Sequence, residues 1–218
     1  MTVLLVMAKA PVPGQVKTRL CPPATPVEAA RIAAAALLDT LDTVRATARV
    51  IPVLACAGRP DARLRAALAG WTVLPQRGAG LADRLANAHT DAAAAFPGHP
   101  ILQIGMDTPQ LTPTSLTAAV SQLGTADAAL GAAVDGGWWA LGLRDPARAA
   151  VLRKVPMSTP DTGRLTLAAL TGLRVATLPV LRDVDEWPDA LAVAATLPGT
   201  RFSRAVAAVR VAPTGTHA

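Results

Sequence analysis

Along the first half of the chain, short unbroken apolar runs alternate with stretches of helical period. Residues 3–7 form a continuous run of branched apolar residues, the pattern of a strand covered on both faces. Residues 50–54, 73–74 and 101–104 repeat it and predict three more strands. Helices are predicted between them over 26–46, 60–68 and 81–95, and from Thr112-Pro113 to about Gly124. The first of these opens on Thr25-Pro26-Val27-Glu28, a Thr cap with Pro at the first position and Glu at the third, and carries Ile32, Leu37, Leu38 and Leu41 on its buried side. Four such alternations with short connections predict a parallel sheet with helices on both faces and ligands at the carboxyl ends of its strands.

The second half is less regular. Strands are predicted over 128–134 and 138–143, flanking Asp135-Gly136-Gly137, with helices after Pro146 and near Thr166 and mixed pairing in the sheet. A last strand over 174–178 precedes RDVDEWPDAL, where Pro188 starts a final helix to about Leu197. From Pro198 the sequence reads as a basic, mobile tail, so the expected organisation is one domain over 1–197 and a flexible tail over 198–218.

Composition narrows the class. Of 218 residues, 51% are hydrophobic and only 17% charged, with six aromatics and no Tyr, so the chain is globular and its core is Ala, Val and Leu. The apolar start has no basic segment before it and ends at Lys9 and two prolines, too short for a signal sequence or a membrane span; a cytoplasmic location is expected. Cys21 and Cys56 stand in unrelated contexts, and His89, His99 and His217 show no ligand spacing, which argues against a disulfide framework and against zinc hydrolysis. There is no GxSxG elbow, and no GxGxxG follows the first strand.

The net charge of +6 and pI near 10.6 suggest a polymeric anion as partner until the charges are placed. Lys9, Lys17 and Arg19 lie in the first twenty residues without an acid, and Arg201, Arg204 and Arg210 lie in the last twenty-one without one; the 177 residues between are neutral. No motif or interleaved aromatics for nucleic acid accompany them. The distribution points instead to a small anionic ligand at the first loop.

That loop holds Lys9, Gly14, Lys17, Thr18 and Arg19, a composition suited to polyphosphate, with the glycine admitting close backbone approach; the plain alternative is a solvated basic loop. Lys17-Thr18 imitates the end of a Walker A motif, but Val16 stands where glycine is required. Asp107, at the end of the fourth strand in GMDTP, is placed to hold Mg²⁺ or Mn²⁺ against those phosphates, or else to serve a turn. Thr112 is the better cap for the next helix. Asp185, with Asp183, Glu186 and Asp189 beside it, is the second metal candidate, against a solvated acidic helix start. Asp135, Gly136, Gly137 and Trp138 read as an acceptor wall or as a hairpin turn with core tryptophans, Trp138 and Trp139 facing opposite sides. Gln76, Gly80 and Arg84 follow the third strand, where a base or sugar would meet backbone amides.

KAPVPGQVKTRL, IGMDTP, DGGWWALGL and DVDEWPDAL, in this order, resemble a bacterial branch of the nucleotide-diphospho-sugar transferase superfamily, over roughly residues 3–197. The branch usually has DGGYY and a TPEDL-like segment where this chain has DGGWW and EWPDAL. The resemblance implies a GT-A fold, a Rossmann-like three-layer α/β/α sandwich with a mixed, mostly parallel sheet. It further implies phosphate binding by Lys9, Gly14, Lys17, Thr18 and Arg19, and metal binding by Asp107 and Asp185. Its residues leave several functions open. Nucleotidyl transfer from an NTP to a small phosphorylated or hydroxyl acceptor, with Lys17, Arg19 and Asp107 catalytic, is favoured by the cationic loop and by Asp-Thr-Pro where glycosyltransferases often show Asp-x-Asp. Glycosyl transfer from an NDP-sugar and non-catalytic nucleotide sensing are the alternatives. A nucleic-acid-binding module would rest only on the pI and the Arg-bearing tail.

Overall fold

The structure, a computed structural model, describes residues 1–210. Its centre is a seven-stranded sheet in the order β3-β2-β1-β4-β6-β5-β7. The strands are β1 (Thr2–Lys9), β2 (Val50–Ala57), β3 (Thr72–Pro75), β4 (Ile101–Gly105), β5 (Ala128–Ala133), β6 (Trp138–Leu143) and β7 (Val175–Leu181). All pairings are parallel except those of β6, which runs antiparallel to both β4 and β5, so the sheet is mixed and mostly parallel as expected.

The helices are α1 (Pro26–Ala46), α2 (Ala62–Ala67), α3 (Leu81–Ala95), α4 (Pro113–Gln122), α5 (Thr162–Ala169), α6 (Trp187–Ala195) and α7 (Arg201–Ala207). Residues Pro146–Lys154 form a long 3₁₀ segment where a helix was expected. The caps at Thr25 and Thr112 are formed as the sequence predicts, each donor and acceptor reciprocated at the third helical position. The period of two in β1 explains its unbroken apolar run: Leu4, Val6 and Ala8 pack into a core with α1, α2 and α4, while Val3, Leu5 and Met7 pack into a second core with α3 and the 3₁₀ segment. The result is a three-layer α/β/α sandwich.

A third core lies outside the sandwich and corrects the expected tail. Residues from Pro198 do not all run free: α7 docks on α1, with Phe202 fully buried among Ile32, Ala36, Val184 and Leu20. Ile32 therefore faces this outer core and not the sheet, and α1 is buried on two sides, Leu37 and Leu41 inward and Ala29, Ile32 and Ala36 outward. The last part of the predicted tail, 211–218, lies outside the described residues. Among the described residues no helix is long and apolar enough to cross a membrane.

Candidate functional site

Strand order reverses at β1: the chain leaves it for β2 on one side and returns to β4 on the other, which opens a crevice beyond their carboxyl ends. The loop after β1 borders this crevice and ends in a short 3₁₀ turn, Thr18–Leu20, before α1. Lys17 precedes that turn in the left-handed region (φ 48°), and Leu20 behind it is fully buried in the outer core. The turn is thus seated from behind, and Lys17 projects forward.

Lys17 Nζ lies 2.9 Å from Asp107 Oδ1 at the end of β4 and 3.1 Å from Asp185 Oδ1 after β7. The two acidic segments are tied together independently of the lysine, since Val184 N donates to Asp107 O at 2.9 Å. Val184 is buried and fixes Asp183 and Asp185 on either side of it. Burial works against the charge on Lys17, but the two carboxylates outweigh it and raise its pKa above the ordinary lysine value. Asp183 is the opposite case: burial, then the charges of Asp107, Asp135 and Asp185, push its carboxyl up to about 7 against the pull of Lys17. Its Oδ1 is buried and makes no hydrogen bond.

These groups line a cleft of about 710 Å³, with Lys9, Thr18, Arg19, Asp107, Asp135, Asp183 and Asp185 among its walls. Arg19, its side chain 69% exposed, reaches to 3.9 Å from Asp185. Lys9 Nζ donates to Gln15 O at 2.9 Å. Of the loop cations that have no local acid in sequence, Lys17 and Arg19 therefore meet acids brought from the ends of other strands, whereas Lys9 bonds within its own loop. Over the whole wall, Lys9, Lys17, Arg19 and Arg182 face Asp107, Asp135, Asp183, Asp185, Glu186 and Asp189, an excess of two negative charges when every carboxyl is ionised and of one when Asp183 keeps its proton.

A second cavity of about 330 Å³ adjoins the first and shares Lys9, Asp107, Asp135 and Asp183 with it. Gln76, Arg84, Gly137 and Trp138 line it. Gln76 holds the strand ends together, its Nε2 donating to Ala8 O and Ala55 O at 2.8 and 2.9 Å. Trp138 Nε1 donates to Thr166 Oγ1 at 3.1 Å, whereas Trp139 is buried and donates to Pro179 O at 2.9 Å. Gly14 and Gly80 line neither cavity: Gly14 has φ 75° in the loop, and Gly80 caps α3. Gly136 is also absent from both walls and is held against Pro160, whose backbone leaves no room for a Cβ, so close packing by itself requires glycine there. Asp135, expected on the acceptor side, belongs to the acidic cluster as well as to the second cavity.

Asp183 is legible in the sequence only as a neighbour of Asp185, and Arg182 only as part of the same segment; Ser158 and Thr159, also on these walls, escape a reading of motifs. Ser158 is held at φ 58°, a strained backbone for a serine, at the junction of the two cavities. The Ser-Thr-Pro sequence after Met157 marks a turn there, the one local signal for it.

The hard oxygen donors of Asp107 and Asp185 converge on a single point that already carries a positive group, and Asp183 leaves an unpaired buried oxygen close by. That set fits Mg²⁺ or Mn²⁺, ions commonly held by one or two carboxylates with water and phosphate completing the shell. Among the described residues no three His, Cys, Asp or Glu side chains are already gathered around one point, so such an ion would depend on outside ligands.

The chain is similar to a candidate nucleotide-diphospho-sugar transferase from Desulfovibrio desulfuricans G20, at 24% identity and a TM-score of 0.80 over 95% of this chain and 94% of that one. It is also similar to Rv0371c from Mycobacterium tuberculosis H37Rv in complex with manganese (22%, TM-score 0.54, 88% and 97% covered). A third likeness is to a CMP:2-keto-3-deoxy-manno-octonic acid synthetase complexed with CTP (13%, TM-score 0.54, 90% and 98% covered). At these identities the likeness is one of fold, and it bears out the GT-A-like architecture expected from the sequence. No protein of curated function matches the chain. The family profile "Uncharacterized protein conserved in bacteria (DUF2064)" matches residues 40–159, more than half of the chain and the stretch that carries Asp107 and Asp135, and the chain belongs to this family.

Proposed function

We propose that the protein is a divalent-metal-dependent transferase acting on nucleotides, and that it transfers a nucleotidyl group from an NTP to a small acceptor with release of pyrophosphate. The observation that carries this reading is the cleft charge. A polyphosphate placed against a wall that is net negative whether or not Asp183 holds its proton would be repelled, unless a divalent cation joined it at Asp107 and Asp185. Such an ion would offset charge on the phosphates and on the departing pyrophosphate. Lys9, Lys17 and Arg19 are the chain's own groups on that side of the cleft and would hold the β- and γ-phosphates. The acceptor would approach from the second cavity, past Asp135, Gly137 and Trp138. A phosphate acceptor is already ionised and needs no base; its oxygen bonds to the α-phosphorus as the bond from that phosphorus to the bridging oxygen breaks.

Glycosyl transfer is the second reading, supported by the likeness to the Desulfovibrio protein over nearly the whole chain. Both readings are tested by supplying each NTP, and separately each NDP-sugar, with Mg²⁺ and a panel of sugar phosphates and organophosphates. Pyrophosphate release from an NTP is expected. NDP release without any pyrophosphate would overturn nucleotidyl transfer in favour of glycosyl transfer, and tight nucleotide binding without turnover of either donor would leave a sensor.

A further inference from the structure

Lys17 is partly buried, 11% of its side chain exposed, and its ammonium bridges Asp107 and Asp185. A lysine whose task is only to meet phosphate would gain nothing from being held by two carboxylates on the floor of the cleft. The carboxylates, for their part, do not need the lysine to stay together, because the Val184 N to Asp107 O bond joins their segments. With Asp135 and Asp183 on the same wall, the point between Asp107 and Asp185 attracts a cation, and the Lys17 ammonium, 2.9 and 3.1 Å from them, is the cation that occupies it.

We infer that Lys17 is a placeholder: its ammonium and a divalent cation are alternative occupants of the Asp107–Asp185 pair, and entry of the metal drives the ammonium out toward the anion side of the cleft. The inference rests on the metal reading proposed above and adds to it an order of events. Two cations cannot share one pair of oxygens at hydrogen-bond distance, since their repulsion is of the same size as the attraction each gains. The metal alone must displace a well-held ammonium and so binds weakly. When an anion is present, the displaced ammonium gains a partner, and metal and anion each strengthen the binding of the other by the same factor. Lys17 is a positioning residue in this scheme. Its left-handed backbone, at the start of a turn anchored by Leu20, leaves the long side chain as the part that moves.

Titration of Mn²⁺ into the full chain, read by the loss of the free-ion paramagnetic signal, tests this without turnover. Lys17→Met is expected to bind Mn²⁺ alone on the order of tenfold more tightly than the unaltered protein. Lys17→Arg, which keeps the charge, is expected to stay weak. Inorganic phosphate is expected to tighten Mn²⁺ binding in the unaltered protein by a larger factor than in Lys17→Met, where only its direct ligation of the ion remains. Lys17→Gln repeats the measurement if the methionine variant melts abnormally. Equal or weaker Mn²⁺ binding in the neutral variants, still abolished by Asp107→Asn, overturns the placeholder and leaves the metal-dependent transfer reading standing. Failure of every variant to bind Mn²⁺, with phosphate or without, overturns the placeholder and the metal reading together.

Discussion

Two cations in this protein each bridge a pair of aspartates, and they do so in opposite company. Arg201 Nη1 lies 2.9 Å from Asp39 and 2.7 Å from Asp42, joining α7 to α1, and Asp42 also meets Arg45. That set is balanced, two bases against two acids. It sits over an apolar anchor, Phe202, whose own N–H donates to Asp39 Oδ2 at 2.8 Å. Lys17 bridges Asp107 and Asp185 at similar distances, but in a cleft with an acidic surplus and an unpaired buried carboxyl oxygen. A balanced bridge over a core is complete in itself and holds elements together. A bridge in an acidic cleft is one arrangement among others, and it is the place where a ligand can exchange with a side chain.

The first way to break the comparison is to remove what makes the α7 bridge structural. Phe202→Ala should cost about 3–5 kcal/mol, since it empties a fully buried site shared with Ile32, Val184 and Leu20. Urea denaturation measures it, and a loss under about 1 kcal/mol would mean that α7 is not an integral part of the fold. Because Leu20 and Val184 also seat Lys17 and Asp185, this variant should weaken nucleotide binding too, although Phe202 is absent from the cleft wall.

Acid blurs the comparison unless a third polar group is accounted for. His89 on α3 is fully buried with no partner at hydrogen-bond distance from either ring nitrogen, and burial lowers its pKa to about 4, the Gln103 side chain lying too far to offset more than part of it. The unfolded chain takes up the proton near pH 6.5 and the folded one only near 4, so the contribution of His89 to stability is lost as pH falls across that window, against the opposite contribution of Asp183, whose raised carboxyl pKa favours the folded chain as pH falls. The loss should reach about 3 kcal/mol by pH 4. Because Asp183 is common to both proteins, the urea midpoint of the unaltered protein should fall relative to that of His89→Leu as pH drops across this range. An equal fall in both would place the acid sensitivity elsewhere.

The two regions also differ in how far they can be read from the sequence. The parallel half is legible because strands buried on both faces leave unbroken apolar runs and because Thr25-Pro26-Val27-Glu28 and Thr112-Pro113 state their caps locally. Lys17, Asp107 and Asp185 are legible as residues at strand ends. Their meeting is not, since Lys17 and Asp185 lie 168 positions apart and no local pattern encodes a long-range ion pair. The α7 segment is hidden for another reason. A seven-residue helix has little stability of its own, and Phe202 and Val206 acquire their meaning only against α1, whose second apolar side is mostly alanine. Arginines on such a segment resemble a solvated tail until Asp39 and Asp42 are seen opposite.

Smaller substitutions sharpen the comparison because they touch the bridges alone. Arg201→Ala removes charged hydrogen bonds from a pair in which Asp39 is largely buried, but the arginine itself is 40% exposed, so solvent screening holds the cost to about 1–1.5 kcal/mol. Added Mg²⁺ should not restore it, because the remaining acids already have Arg45 and the Phe202 N–H as partners.

Lys17→Met should cost least, under about 1 kcal/mol in chelator. The variant abolishes the desolvation that is the largest influence on the lysine, and Asp107 and Asp185, each 38% exposed, can take up water in its place. Here Mg²⁺ should restore the loss or exceed it, since an ion bound only by the folded chain stabilises that chain by mass action. Thermal melting of the two variants with chelator and with Mg²⁺ therefore separates the bridges by the sign of one difference. Recovery is expected for Lys17→Met and none for Arg201→Ala. Identical responses to Mg²⁺ would make the cleft bridge as complete as the α7 bridge, and a divalent ion would then have no claim on Asp107 and Asp185.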